Sequence, residues 1–241
     1  MVIDWSVTAV YNTIMSVAVG VALVLIVRFF DGLFKSKITQ IDGWSIAFIS
    51  LGFILVLTGG HMSLTWPLSK MGVAFDDIIF GETSLAFGIL LIAFGVILLR
   101  RTRVYTNEKL NFTDGKVISE CLKKDLPAIL RPLSLFAAAM GGALLSIACA
   151  GIGFQLFAAP PEEPISGRFA DYPMIEATFM SGLFAITGIG ALLLPFMFKD
   201  KIHFNIFNKV KILFYIAGII FILFGVMNYF THIGLIVNTM E

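Results

Sequence analysis

Apolar residues fall in long blocks along this chain. Six blocks are long enough to cross a hydrocarbon core of roughly 30 Å: Val7–Val27, Trp44–Met62, Ile78–Leu99, Leu133–Ala158, Met174–Phe198 and Ile212–Phe230. Lipid offers no partner to a free backbone N–H or C=O, so each block is predicted to be a continuous helix. The ten-residue alternation of a membrane barrel is not seen. The predicted fold is all-α, a polytopic six-helix transmembrane bundle forming a single domain over residues 1–241. Asp4 precedes the first block and no Lys or Arg does, so that block reads as a retained helix and not as a signal peptide.

The charged positions between the blocks predict orientation. Of the 17 Lys and Arg, 15 follow the first, third or fifth block, and only Lys70 and Arg168 lie on the opposite side. Basic connections stay in the cytoplasm, which predicts a cell-membrane protein with both termini extracytoplasmic. The outer connections Ser63–Asp77 and Ala159–Asp171 are short, proline-stiffened and mostly acidic. The basic connection 100–131 is the longest. Within it Val117, Ile118, Cys121, Leu122 and Leu126 share one helical face, as in a short interfacial helix on the inner leaflet or a docking face for a cytoplasmic partner.

Composition closes off other classes. With 58% hydrophobic and 14% charged residues and a mean hydropathy of +0.93, the chain has too little polar surface for a soluble globule of its size. Its one certain partner is the lipid bilayer. The net charge of +1 hides the asymmetry above and argues no nucleic-acid partner. Cys121 and Cys149 have neither disulfide-framework nor CxxC spacing. P-loop, GxSxG, HExxH and dinucleotide motifs are missing, so the chain on its own reads as no enzyme.

A displacement of 94 residues sets Phe75–Ile92 against Phe169–Ile186 with five of 18 positions identical, including Asp77 with Asp171, Glu82 with Glu176 and Gly88 with Gly182. Gly59 also matches Gly153, and Pro67 matches Pro161. This predicts a tandem two-helix repeat, helices two and three followed by four and five, related by an axis along the membrane normal. Helices one and six are then additions at the flanks.

Chemistry-bearing residues collect toward the outer ends of the helices. Glu82 and Glu176 stand near helix N-termini, where the dipole favours an acid, and Asp77 and Asp171 are placed like N-caps. With His61 and His232 the two glutamates form a candidate shell for a divalent transition metal, supported by Asp77, Asp171 and Trp66. Against it, His61 matches Gln155 in the second copy. Haem ligated by two histidines is disfavoured, because CxxCH is missing and no one helical segment carries both. Middle positions of the spans carry no acid or base, which counts against proton-coupled transport. Gly88, Gly95, Gly182, Gly188 and Gly190 are read as close-packing positions, and Gly59 and Gly60 as a candidate break in helix two. The 24 Phe residues are expected to face lipid, with Trp44, Trp66 and Tyr172 at the interfaces.

The stretch GGHMSLTWPL, Gly59–Leu68, followed by IIFGETSLAFG, Ile79–Gly88, resembles a family of uncharacterised multi-pass prokaryotic membrane proteins classed as a domain of unknown function. The resemblance implies a six- or seven-helix membrane protein and assigns no activity. If the motif marks a site, His61, Trp66, Pro67 and Glu82 are its residues. Three functions are expected, in this order: a subunit or scaffold working with other membrane subunits or as a homo-oligomer, a metal-binding catalyst or carrier, and a small-solute transporter.

Overall fold

The computed structural model describes residues 11–65 and 75–240. Trp66, Pro67 and Lys70 lie outside the described residues. The elements are α1 (Asn12–Phe34), α2 (Ile41–Thr65), a π turn (Asp77–Glu82) leading into α3 (Thr83–Asn107), α4 (Gly115–Gly153), a 3-10 turn (Ser166–Phe169), α5 (Pro173–Leu192), a short α6 (Leu194–Met197) and α7 (Phe204–Thr239). Among the described residues there is no strand, and six helices are long and apolar enough to cross a membrane.

The helices run past the apolar blocks that announce them. The 39 residues of α4 span about 58 Å at 1.5 Å per residue, nearly twice a hydrocarbon core. Charge limits what lies in lipid but does not end the backbone hydrogen-bond ladder, so α4 begins at Gly115, where Asp114 accepts from the N–H groups of Lys116 and Val117. The segment 117–126 is therefore the first part of α4. Its apolar face is turned inward, with Ile118, Leu122 and Leu126 fully buried against the rest of the core. Pro127 and Pro132 sit inside the helix, each removing one ladder donor. Pro195 stands in the first turn of α6, just after the chain turns at Leu193, where a missing N–H costs no ladder bond.

The six spans associate as three antiparallel pairs, α1 with α7, α2 with α3 and α4 with α5, each packed much more closely within itself than against the others. Every pair is sealed by two glycines facing each other: Gly20 and Gly218, Gly52 and Gly88, Gly141 and Gly188. A Cβ at Gly20, Gly52 or Gly141 would stand 2.6–2.7 Å from the partner glycine's carbonyl oxygen. That contact distance is closed to any larger residue, and it lets dispersion act along both backbones, the main attraction available in lipid.

Other glycines divide. Gly95 and Gly190 are also close-packed, against Ser45 and Phe214, whereas Gly182 meets nothing within 4 Å. Helix α2 passes through Gly59 and Gly60 unbroken, and Gly59 rests on the backbone of Gly81 and Leu85.

The phenylalanines are not mainly lipid-facing, contrary to expectation: nine are buried. Lipid already solvates apolar surface, so burying a ring is driven by shape and contact and not by hydropathy. Phe30, Phe94, Phe198 and Phe207 interlock at the basic end of the bundle, and Phe29 meets Trp44, Phe48 and Phe94 edge to face beside them. Ionic ties reinforce this end. Asp31 of α1 holds Lys211 of α7 and Lys35, both at 2.6 Å. Asp125 of α4 accepts from Arg101 and from the buried Tyr105 of α3, at 3.1 and 2.9 Å.

Candidate functional site

Between the three pairs lies a cavity of about 220 Å³, lined by α1, α3, α4, α5, α6 and α7. Along α7 its lining runs from Phe207 to Asn228, about 31 Å at the helical rise and close to the depth of a hydrocarbon core. The chamber is narrow, long and apolar. Its walls are Leu, Ile, Val, Met, Ala and Phe, and no ionisable side chain lines it.

The few polar groups in the wall are mostly satisfied locally. Ser16 donates to the carbonyl of Phe221, Thr83 to Ile79, Ser134 to Arg131 and Thr187 to Leu183. Two amides differ. Asn228 of α7 is 3% exposed, and Asn12 of α1 has a buried Oδ1 that accepts from no described residue. Both line the chamber near the end opposite the basic one.

Aromatic side chains crowd one end of the chamber, and a folded loop borders the other. Phe30, Phe94, Phe198 and Phe207 form the floor. Over the other end folds the segment 154–172, which turns back sharply through positive φ at Gln155, Phe157 and Ile165. Phe157 drops between Phe80 and Phe184, with ring centroids 6.2 and 5.7 Å away, and both of those rings line the chamber. The cap is tied down at several points: Asn238 donates to the carbonyl of Glu162, the amide of Ala159 donates to Glu176, and Glu163 lies 3.8 Å from His232. Pro164 lies against Gly234.

These ties place the four residues singled out for a metal. His61, on the exposed end of α2, has Nδ1 3.4 Å from the Tyr11 hydroxyl and stands within electrostatic reach of Asp77 in the π turn. His232 and Glu176 belong to the cap, both grouped around Glu163. Glu82 ends the π turn and is exposed. His61 thus has different partners from His232 and Glu176, and among the described residues no three His, Cys, Asp or Glu are placed to hold one metal ion. The N-cap positions fall on Asp76 and Tyr172, one residue before Asp77 and one after Asp171, and neither makes a side-chain cap bond.

The sequence-matched copies also differ in surroundings. Asp77 is buried and Asp171 exposed; Glu82 is exposed and Glu176 half-buried; Gly88 is close-packed and Gly182 open. The glycine seals sit 89 and 100 residues apart in the two hairpins, on either side of the 94-residue displacement.

Asn12, Asn228 and Phe157 escaped sequence reasoning. An amide inside an apolar run, as in Phe224–Phe230, is the signal that points to the first two; Phe157 carries none that separates it from its neighbours.

A bundle of six membrane-crossing helices around an apolar chamber defines a multi-pass integral membrane protein. The chain belongs to DUF981, a family described as protein of unknown function, whose model matches residues 8–234. No curated protein and no solved structure matches it.

Proposed function

We propose that the chain holds one long, apolar molecule inside the bilayer, as a carrier or presenting protein for a lipid-like ligand. The chamber carries this reading. An apolar cavity of this size gives water no partners, and a coupled transporter for a polar solute calls for polar groups at bilayer depth, where this lining offers Phe, Leu and Met. A hydrocarbon chain matches the lining. The division of basic residues supports an orientation with the aromatic floor toward the cytoplasm and the cap and both termini outside.

Photolabelling tests this in the protein embedded in native-lipid nanodiscs. A diazirine-bearing alkane should modify chamber residues such as Met140 and Phe184 as well as lipid-facing ones such as Phe53 and Leu57. Labelling confined to the lipid-facing residues would refute the reading.

One observation favours a second reading, a subunit of a larger membrane assembly. Ala139, Gly142, Ser146, Cys149 and Gly153 recur along α4 at intervals of three and four, with no neighbour within 4 Å of either glycine, and α4 is the least buried of the six spans. Small residues at that spacing allow close helix–helix approach. Mild oxidation in membranes should then cross-link Cys149 between copies and leave Cys121 unlinked. A chain that stays monomeric would leave this face to lipid or to a different subunit.

A further inference from the structure

We propose a second lipid site on the outside of the bundle, where the phosphate of an anionic phospholipid rests on Arg28, Tyr215 and Lys211 in the seam between α1 and α7. None of the three lines the chamber, so this site stands or falls independently of the carrier reading. The lipid held here exchanges with the bilayer.

Depth is the first argument. The apolar block of α1 ends at Val27 and that of α7 begins at Ile212. Arg28 and Lys211 are therefore the first charges beyond the hydrocarbon on two helices that pack as a pair, at the level where a bilayer carries its headgroups. The contacts of Arg28 with Tyr215 and of Asp31 with Lys211 continue the register set deeper in the pair, where Val17 meets Gly225. The three cations Arg28, Lys35 and Lys211 thus border one short stretch of the seam.

Charge in that stretch does not balance within the protein. Asp31 takes both Lys35 and Lys211 at 2.6 Å, so two ammonium groups share one carboxylate. Arg28 is exposed, and among the described residues no carboxylate pairs with it. Its guanidinium leans on Tyr215 instead: Nη2 donates to the hydroxyl at 3.5 Å, and Cζ stands 6.0 Å from the ring centre. A guanidinium has five N–H donors, so most of them, and the phenol proton, are left for an oxyanion.

What lies beneath the cations selects a lipid over a free anion. Ile212, Ile216 and Ile219 of α7 are exposed and share one face, which runs from the cations toward the bilayer centre. A phosphate carrying acyl chains uses both the cations and this apolar surface, whereas a soluble phosphate uses only the first.

The test uses the full-length protein in nanodiscs of phosphatidylglycerol and phosphatidylcholine, with the same acyl-chain diazirine placed on one lipid or the other. Labelling at Ile212 and Ile216 is compared with labelling at Ile46, an exposed residue just inside the start of the apolar block of α2. The ratio of phosphatidylglycerol to phosphatidylcholine label should be roughly fivefold higher at the two α7 residues, the preference that one basic residue at the surface gives. Arg28→Gln should bring that ratio down to the value at Ile46; a ratio left as high as in the unmodified protein would overturn the site. Equal ratios at Ile216 and Ile46 in the unmodified protein would also overturn it, by showing only a general attraction of anionic lipid to the basic end, and this arm needs no variant to fold. The preference should persist when soluble glycerol phosphate is added in excess. Its loss there would overturn the choice of a lipid and show a site for the headgroup alone.

Discussion

At the scale of single residues, the basic end shows how a membrane protein spends its few polar contacts. Tyr105 is buried and gives its hydroxyl proton to Asp125, which also takes Arg101. Tyr105→Phe removes that donor while Arg101 keeps the carboxylate partly satisfied, so the loss should be about 1 kcal/mol. Thermal unfolding in detergent should begin about 2–4 °C lower in a chain of this size; an unchanged midpoint would mean the hydrogen bond contributes nothing net. Residues of this kind were only partly legible. His61, Glu82, Glu176 and His232 stand out in sequence because charge is scarce, and they do lie toward helix ends. Their partners did not follow, since Glu163 and Ala159 come from a loop whose path depends on three positive-φ turns. Asn12 and Asn228 carry no charge, so a search led by charged residues passes them by.

At the scale of elements, the glycine pairs make the sharpest prediction. Gly20, Gly52 and Gly141 each face a backbone oxygen that no side-chain motion can relieve, so replacing any of them by Leu should separate a pair and cost about 1–3 kcal/mol or more by overpacking. Gly182→Ala meets open space and should leave the unfolding midpoint within the roughly ±0.5 kcal/mol typical of neutral surface changes. Equal effects at Gly141 and Gly182 would contradict the pairing. Six spans were legible because each apolar block is long. Their ends were not, because α4 and α7 continue for several turns beyond the lipid on protein contacts such as Ile118, Leu122 and Phe207 that hydropathy does not register.

At the scale of the whole molecule, the sequence match presents helices one and six as flanking additions, whereas α1 and α7 form a third pair with the same glycine seal as the other two. The chamber lies between the three pairs, with every span but α2 in its wall. The proposed orientation predicts that a reporter fused after Glu241 is active only outside the cytoplasm, and one inserted near Lys109 only inside; the reverse pattern would overturn it.

The central claim is that the chamber is occupied by a single long-chain molecule. Native mass spectrometry of the protein released from nanodiscs should find one tightly held chain-bearing species per copy, retained after loosely bound lipid is stripped. That species should be lost in Ala137→Trp, which places an indole in the chamber wall. A folded wild-type protein that releases every lipid together, or an Ala137→Trp protein that retains the species in full, would contradict it.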